Sequence, residues 1–179
     1  MKRLFLFSLV IALLFCGCGK KLNPGDLMDK DTGKVYSLGD SKDVFDSAFG
    51  DATYNDITKE WSYLSDMLYV AFDEDNIATR IKTSAETSRF SFFNFDFSKP
   101  IEDIKGRYSE YEMSGVTAYD LFFSEDGKPI DLKDAAYLNR YIAHTLFVYN
   151  EDDERLNRKN GAYEFYFIEL KDGLGLEKP

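Results

Sequence analysis

The sequence predicts an α+β fold: short helices packed on antiparallel sheet, arranged as two tandem helix-plus-meander units. Three observations carry this expectation. Between Ser37 and Gly50, apolar residues recur at helical spacing, with capping residues before them and a glycine after. From Trp61 to Ile81 the pattern changes to short alternating runs separated by turn formers, the mark of strands. Around Ser98 the pattern Ser-Lys-x-(Val/Ile)-x-Asp, first met at Ser41, returns. With 44% hydrophobic and 16% aromatic residues among 179, the chain has enough apolar surface to fold and does not have a disordered composition.

Residues 1–34 precede this pattern. Met1-Lys2-Arg3 is a basic start, Leu4–Phe15 is apolar apart from Ser8, and Cys16-Gly17-Cys18-Gly19-Lys20-Lys21 follows. The apolar run falls short of the ~20 residues that a membrane-spanning helix needs. The arrangement resembles a bacterial lipoprotein signal peptide, with a basic start, a short hydrophobic region and a small residue directly before a cysteine. That resemblance implies cleavage between Gly17 and Cys18, diacylglycerol on the Cys18 sulfur and an acyl chain such as palmitate on its new amino group. Phe15 departs from the Leu that such signals favour, and cleavage before Cys16 is the weaker alternative. Each buried CH₂ contributes about 0.8 kcal/mol, so several acyl chains anchor durably where one binds marginally. The expected address is extracytoplasmic, lipid-anchored at the cell membrane or, facing the periplasm, at the outer membrane. Residues 18–34 are polar and rich in turn formers, and are expected to be a flexible tether.

The first unit is expected over residues 35–89. Asp40 or Ser41 can cap a helix by accepting from its free N–H groups. Val44, Phe45, Ala48 and Phe49 make its apolar face, and Gly50 supplies the left-handed stop. Strands follow at Trp61–Leu64 and Met67–Phe72, the latter with Leu68, Val70 and Phe72 on one face. Asp73-Glu74-Asp75-Asn76 turns the chain into a strand over Ile77–Ile81.

The second unit is expected over residues 90–172. It opens on a bridging strand, Phe90–Phe97, and Pro100 suits the first turn of a second helix near Ser98–Ile104. A strand at Thr117–Phe123 leads to the turn Ser124-Glu125-Asp126-Gly127. A short helix opened by Asp131 and strands at Ala143–Tyr149 and Tyr163–Leu170 complete it, leaving residues 173–179 as a frayed tail. The echo of the first unit is imperfect, because the serines lie 57 apart and the turn aspartates 51.

Leu38-Gly39-Asp40-Ser41-x-x-Val44, Phe49-Gly50, Trp61-x-Tyr63 and Ile77-x-x-x-Ile81 together resemble exported modules of the β-lactamase-inhibitor-protein-like superfamily. That group includes the small lipoprotein of the outer-membrane β-barrel assembly machinery. The resemblance implies a helix followed by a Tyr-rich antiparallel sheet, tandem copies, and binding of proteins through a sheet face and its loops. It implies no catalytic residue. Phe49 stands where Leu is usual, and Asp51-Ala52 replaces the Pro that often follows the closing Gly.

Charge and residue inventory narrow the chemistry. Loss of residues 1–17 removes Lys2 and Arg3, taking the net charge from −10 to −12. Such a chain is a poor partner for nucleic acid, whose binding rests on Lys and Arg neutralising phosphates. After processing the only thiol is the lipidated one, so neither a disulfide nor a Cys-ligated metal is expected. His144 is the single histidine and has no nucleophile or Gly-x-Ser-x-Gly turn beside it in sequence, so it reads as a partly buried or surface residue. The acid groups at 73–76, 124–127 and 151–154 lack EF-hand spacing and read as solvated turns; weak Ca²⁺ binding is the alternative. No catalytic residue, metal or cofactor is expected.

Binding chemistry is the stronger expectation. In a strand, Phe93, Phe95 and Phe97 share one face while Phe90 and Phe92 share the other. A run apolar on both sides reads as a central strand; the alternative is that one face meets a partner, with Phe93, Phe95, Phe97, Trp61 and Tyr63 as the candidate partner-binding residues, since aromatics are enriched at interface hot spots. The function expected is a membrane-anchored, non-enzymatic lipoprotein that binds an envelope protein as a scaffold. Two alternatives stand beside it: a carboxylate-based envelope hydrolase, and a small-ligand receptor lined by tyrosines and Trp61.

Overall fold

A computed structural model of the chain describes residues 21–84, 89–93, 109–113, 116–131, 138, 140–149 and 161–169. Cys18, Phe95 and Phe97, the second expected helix and most of the Asp131–Arg140 segment lie outside the described residues. What the described residues form corrects the α+β expectation. They hold twelve strands and one eight-residue helix, so the fold is mostly β.

The strands are β1 (Asp26–Asp29), β2 (Val35–Ser37), β3 (Thr53–Asn55), β4 (Glu60–Tyr63), β5 (Leu68–Phe72), β6 (Ala78–Ser84), β7 (Phe90–Phe92), β8 (Ser109–Met113), β9 (Val116–Phe123), β10 (Pro129–Ile130), β11 (Arg140–Tyr149) and β12 (Gly161–Glu169). The helix α1 spans Lys42–Phe49. Nine strands form one antiparallel sheet in the order β10-β9-β11-β12-β6-β5-β4-β3, with β8 also on β9. The pairing of β6 with β12 joins strands from the two expected units into that sheet. The expected strands at 61–64, 67–72, 77–81, 117–123, 143–149 and 163–170 are present with shifted ends as β4, β5, β6, β9, β11 and β12.

Because side chains alternate across a strand, cross-strand partners share a face. One row of partners is Trp61, Val70, Ile81, Phe165, His144 and Leu121. This is the inner face. Leu68, Val70, Ile81, Tyr163 and Phe165 on it are fully buried. Helix α1 packs there through Phe45, whose ring lies 5.6 Å from Phe72 and 5.8 Å from Tyr36. Only part of the predicted apolar stripe is used. Phe45 is buried and Phe49 half-buried, but Val44 and Ala48 are exposed. Gly50, at φ 79°, ends the helix as expected, and its N–H donates to the Asp46 carbonyl at 3.0 Å. Ser41 occupies the N-cap without a side-chain bond, while the Asp40 carboxylate closes the preceding turn by accepting from the Ser37 N–H.

The rest of the inner face is covered by a second sheet, β2-β1-β7. It corrects the tether expectation, because β1 lies within residues 18–34. Leu27 pairs with Tyr36 on one side and Phe92 on the other, and Leu27 and Asp29 are fully buried. Arg89 holds the Asp29 carboxylate with two bonds, Nε to Oδ1 at 2.9 Å and Nη2 to Oδ2 at 2.8 Å. Arg89 first, and the Asp31 N–H and Thr32 hydroxyl after it, outweigh burial and hold the Asp29 carboxyl below its usual range. A buried carboxylate is tolerable only when paired in this way. Two apolar residues in a turn-rich stretch gave no hint of that distant partner.

Candidate functional site

The opposite, outer face of the sheet carries the chemistry. Its central row is Ser62, Tyr69, Lys82, Glu164, Thr145 and Asp120, one residue from each of six neighbouring strands. Arg80 stands two residues before Lys82 on β6 and pairs with Tyr166, and Glu60 stands two residues before Ser62 on β4. A hydrophobic outer layer is absent from β4, β5 and β6; half-exposed polar and aromatic side chains take its place.

Glu60 is the pivot. Its side chain is only 3% exposed, yet Arg80 Nη2 lies 3.1 Å from Oε1 and Lys82 Nζ 3.1 Å from Oε2. Two cations on one buried carboxylate repay its desolvation and fix both long side chains. Arg80 Nη2 also donates to the Thr58 carbonyl at 3.3 Å, and Lys82 Nζ sits 4.8 Å above the Tyr69 ring. The Arg80 Nε is buried and meets no hydrogen-bond partner among the described residues. Glu164 faces the same cluster. Burial raises its carboxyl above the usual range, against the pull of Arg80 and Lys82, and Glu60 and Asp120 add repulsion. Farther along the row, the Thr145 hydroxyl donates to Asp120 Oδ1 at 2.7 Å.

Of the expected aromatic site, Trp61, Tyr63 and Phe93 lie among the described residues. Tyr63 is buried at 1% exposure, and its hydroxyl donates to Asp46 Oδ1 at 2.7 Å, so it is a core strut that cannot meet a partner. Burial, then the Asp46 carboxylate, raises the Tyr63 hydroxyl far above its usual pKa. Phe93 lies just beyond β7 and turns inward, its ring 5.0 Å from Phe123 and 6.4 Å from His144. Phe90 and Phe92 are buried together, as the alternation requires. Trp61 keeps a half-exposed ring, tilted against Tyr54 at 5.1 Å and roofed by Lys42 Nζ at 4.0 Å. Lys42 is tied in turn to Asp46 at 2.6 Å.

His144 is not at the surface either; it is 1% exposed on the inner face. Nε2 lies 2.7 Å from the Pro24 carbonyl and Nδ1 meets the Tyr163 hydroxyl. A carbonyl only accepts, so Nε2 carries the proton and the Tyr163 O–H donates to Nδ1. Burial dominates the ring's titration and pushes it down to about 4, with the Pro24 carbonyl acting weakly the other way. A neutral, doubly bonded imidazole with Phe123 and Phe165 around it is a structural clasp and not a general base.

Glu60, Arg80, Lys82, Tyr69 and Glu164 were missed at the sequence level. The signal available was the outward register of β5 and β6: if Leu68 and Val70 face in, Tyr69 must face out, and with Ile81 inward Arg80 and Lys82 must join it. Elsewhere, an open groove of about 610 Å³ lies between Lys34–Tyr36 and the exposed helix positions Asp43, Val44 and Ser47. Among the described residues, no three His, Cys, Asp or Glu side chains are grouped to hold a metal ion, and no helix is long and apolar enough to cross a membrane. Comparison with protein-family models, with curated proteins and with solved structures finds no match to this chain.

Proposed function

We propose that this protein is a lipid-anchored envelope lipoprotein, held by Cys18, that binds another envelope protein through the outer face of β4, β5 and β6. The anchor rests on the basic start, apolar run and Gly17-Cys18 of the sequence. One observation carries the binding surface: Arg80, Lys82 and Tyr69 are held in fixed positions around buried Glu60 on a half-exposed face. Interface hot spots favour Arg and Tyr, and side chains already ordered lose less entropy on association. Arg80 and Lys82 share the single carboxylate of Glu60, and N–H groups turned outward from that cluster suit an acidic or carbonyl-rich patch on the partner. The family resemblance points to the same use of a sheet face.

The test is photo-crosslinking in cells, with the crosslinker placed at Tyr69 in the full, lipidated chain. A discrete adduct that disappears in Arg80→Glu and weakens in Lys82→Glu supports the proposal. Hot-spot truncations of this kind cost about 2 kcal/mol or more, roughly thirtyfold in affinity. Adducts indifferent to both substitutions, or none at all, would overturn it.

The carboxylate-hydrolase reading keeps one specific support. Glu60 and Glu164 share a face in unlike environments, the first paired with two cations and the second with its carboxyl pushed up by burial. Acid and base roles are divided in this manner in carboxylate enzymes. Turnover of a cell-wall glycan or peptide that is lost in Glu164→Gln would favour this second reading. Unchanged turnover in that variant would remove it.

A further inference from the structure

The segment between the lipidated cysteine and the fold is short, and its far end is pinned. Pro24 lies six steps along the chain from Cys18, and an extended chain advances at most ~3.6 Å per step, so the two are no more than ~22 Å apart. Pro24 cannot drift from the sheet. Its carbonyl accepts from His144 Nε2 at 2.7 Å, and a Cβ added at Gly127 would meet the Pro24 ring at 3.5 Å. The end of the sheet where Pro24 sits is therefore the end nearest the bilayer, given the anchor read above.

The register says which turns share that end. Strands β3, β5 and β9 all run toward it, and β4 and β6 run back from it. The turns at residues 56–59, 73–77 and 124–128 consequently leave the sheet at the same end as Pro24. Two of them are acidic, with Asp73, Glu74 and Asp75 in one and Glu125 and Asp126 in the other. The β3–β4 turn differs. Ile57 at its tip is 92% exposed, and the half-exposed rings of Tyr54 and Trp61 stack behind it. Lys59, exposed and paired with Asp56 at 2.5 Å, and Lys42 above Trp61 place cations beside those rings. An apolar tip backed by Trp, Tyr and Lys is the chemistry of the membrane–water interface, where amphipathic rings sit at headgroup depth.

We propose that the β3–β4 hairpin is a membrane foot, in which Ile57 enters the lipid interface and Tyr54 and Trp61 rest at headgroup depth, steadying the domain beside its anchor. The inference rests on lipidation at Cys18. The occupant is a zwitterionic bilayer, because the acidic turns at the same end repel anionic headgroups.

Trp61 is the only tryptophan in the chain, so its emission reports on this hairpin alone. The full, lipidated protein is placed in phosphatidylcholine vesicles with plain or brominated acyl chains, and flotation shows separately whether it is anchored. Stronger Trp61 quenching in brominated vesicles, reduced in Ile57→Asp, supports the foot. Ile57 is so exposed that this substitution leaves the fold unchanged, which circular dichroism checks. Protein that floats with the vesicles but shows equal Trp61 emission in both lipids, or equal quenching in Ile57→Asp, overturns the foot while the anchor stands. Protein that does not float overturns the anchor and the foot together.

Discussion

Acidification should destabilise this protein in two separate pH windows, the first of them set by His144. In the folded chain the ring is pushed down to about 4, against 6.5 for an unperturbed histidine. Below pH 6.5 the unfolded chain takes up a proton that the folded chain refuses until about pH 4. Protons thus favour the unfolded state across that window, and stability falls as pH falls. At 1.36 kcal/mol per unit, the full loss is about 3 kcal/mol, a large share of a typical domain's stability. The depressed carboxyls of Asp29 and Asp46 act later. Their contributions are intact above the usual carboxylate pKa of 3.8 and are lost only as pH falls below it. Burial raises the Asp46 carboxyl, but hydrogen bonds from Lys42 and Tyr63 outweigh it. Glu164 opposes the trend, since its raised carboxyl makes the fold less stable as pH rises through its titration. A His144→Gln variant isolates the histidine, because a glutamine amide can still donate to Pro24 but does not titrate. Urea denaturation followed by circular dichroism from pH 7.5 to 4 should show wild type losing about 3 kcal/mol relative to the variant. A wild-type-minus-variant difference that stays constant across that range would refute the reasoning.

Three further outcomes test the packing. Ser65 is held at φ 53° between Leu64 and Asp66, which are also left-handed; Ser65→Gly should raise stability by about 1 kcal/mol in urea titrations, the cost of that conformation for a residue with a Cβ. Arg89→Leu strands the fully buried Asp29 carboxylate and should cost about 3–5 kcal/mol, whereas Asp29→Leu with Arg89→Leu recovers much of the loss in the same denaturation assay. Phe45→Ala empties the site that helix α1 fills between Tyr36, Tyr63 and Phe72, for a loss of about 3–5 kcal/mol measured by thermal or chemical unfolding.

What could be read in the sequence was local. The helix over residues 42–49, its glycine stop and the hairpin of β5 and β6 depend on caps, turns and alternation within a dozen residues, and those signals were present. The fold class was misread because its decisive contacts are distant. Asp29 meets Arg89 sixty positions later, and β1 joins β2 to β7. No periodicity marks a four-residue strand whose second buried side chain is an aspartate. The burial of Tyr63 and the inward turn of Phe93 went unread for a related reason. Aromatic content drew attention to Tyr63 and Phe93, but a ring's type does not say which face it occupies. Register does: once Leu68, Val70 and Ile81 are placed inward, Tyr69, Arg80 and Lys82 follow outward.

The two proposed surfaces are geometrically compatible because they lie on different axes of the sheet. Pro24 and the β3–β4 tip belong to one end, the end that the proposed anchor would hold, along the strand direction, whereas Tyr69, Arg80 and Lys82 project from a face perpendicular to it. A domain standing on that end presents the outer face sideways, parallel to the membrane plane. A partner would then approach laterally, as another envelope-bound protein does. The clasp at His144 has a place in this arrangement. With the proposed anchor in place, the buried bond to Pro24 and the small sheet built from β1 would fix the orientation of the face, where a loose leash would let the domain tumble. The same pairing would make orientation and stability inseparable: protonating His144 weakens the attachment of the Pro24 segment, which the proposed anchor would precede, and with it the packing of β1 on the core.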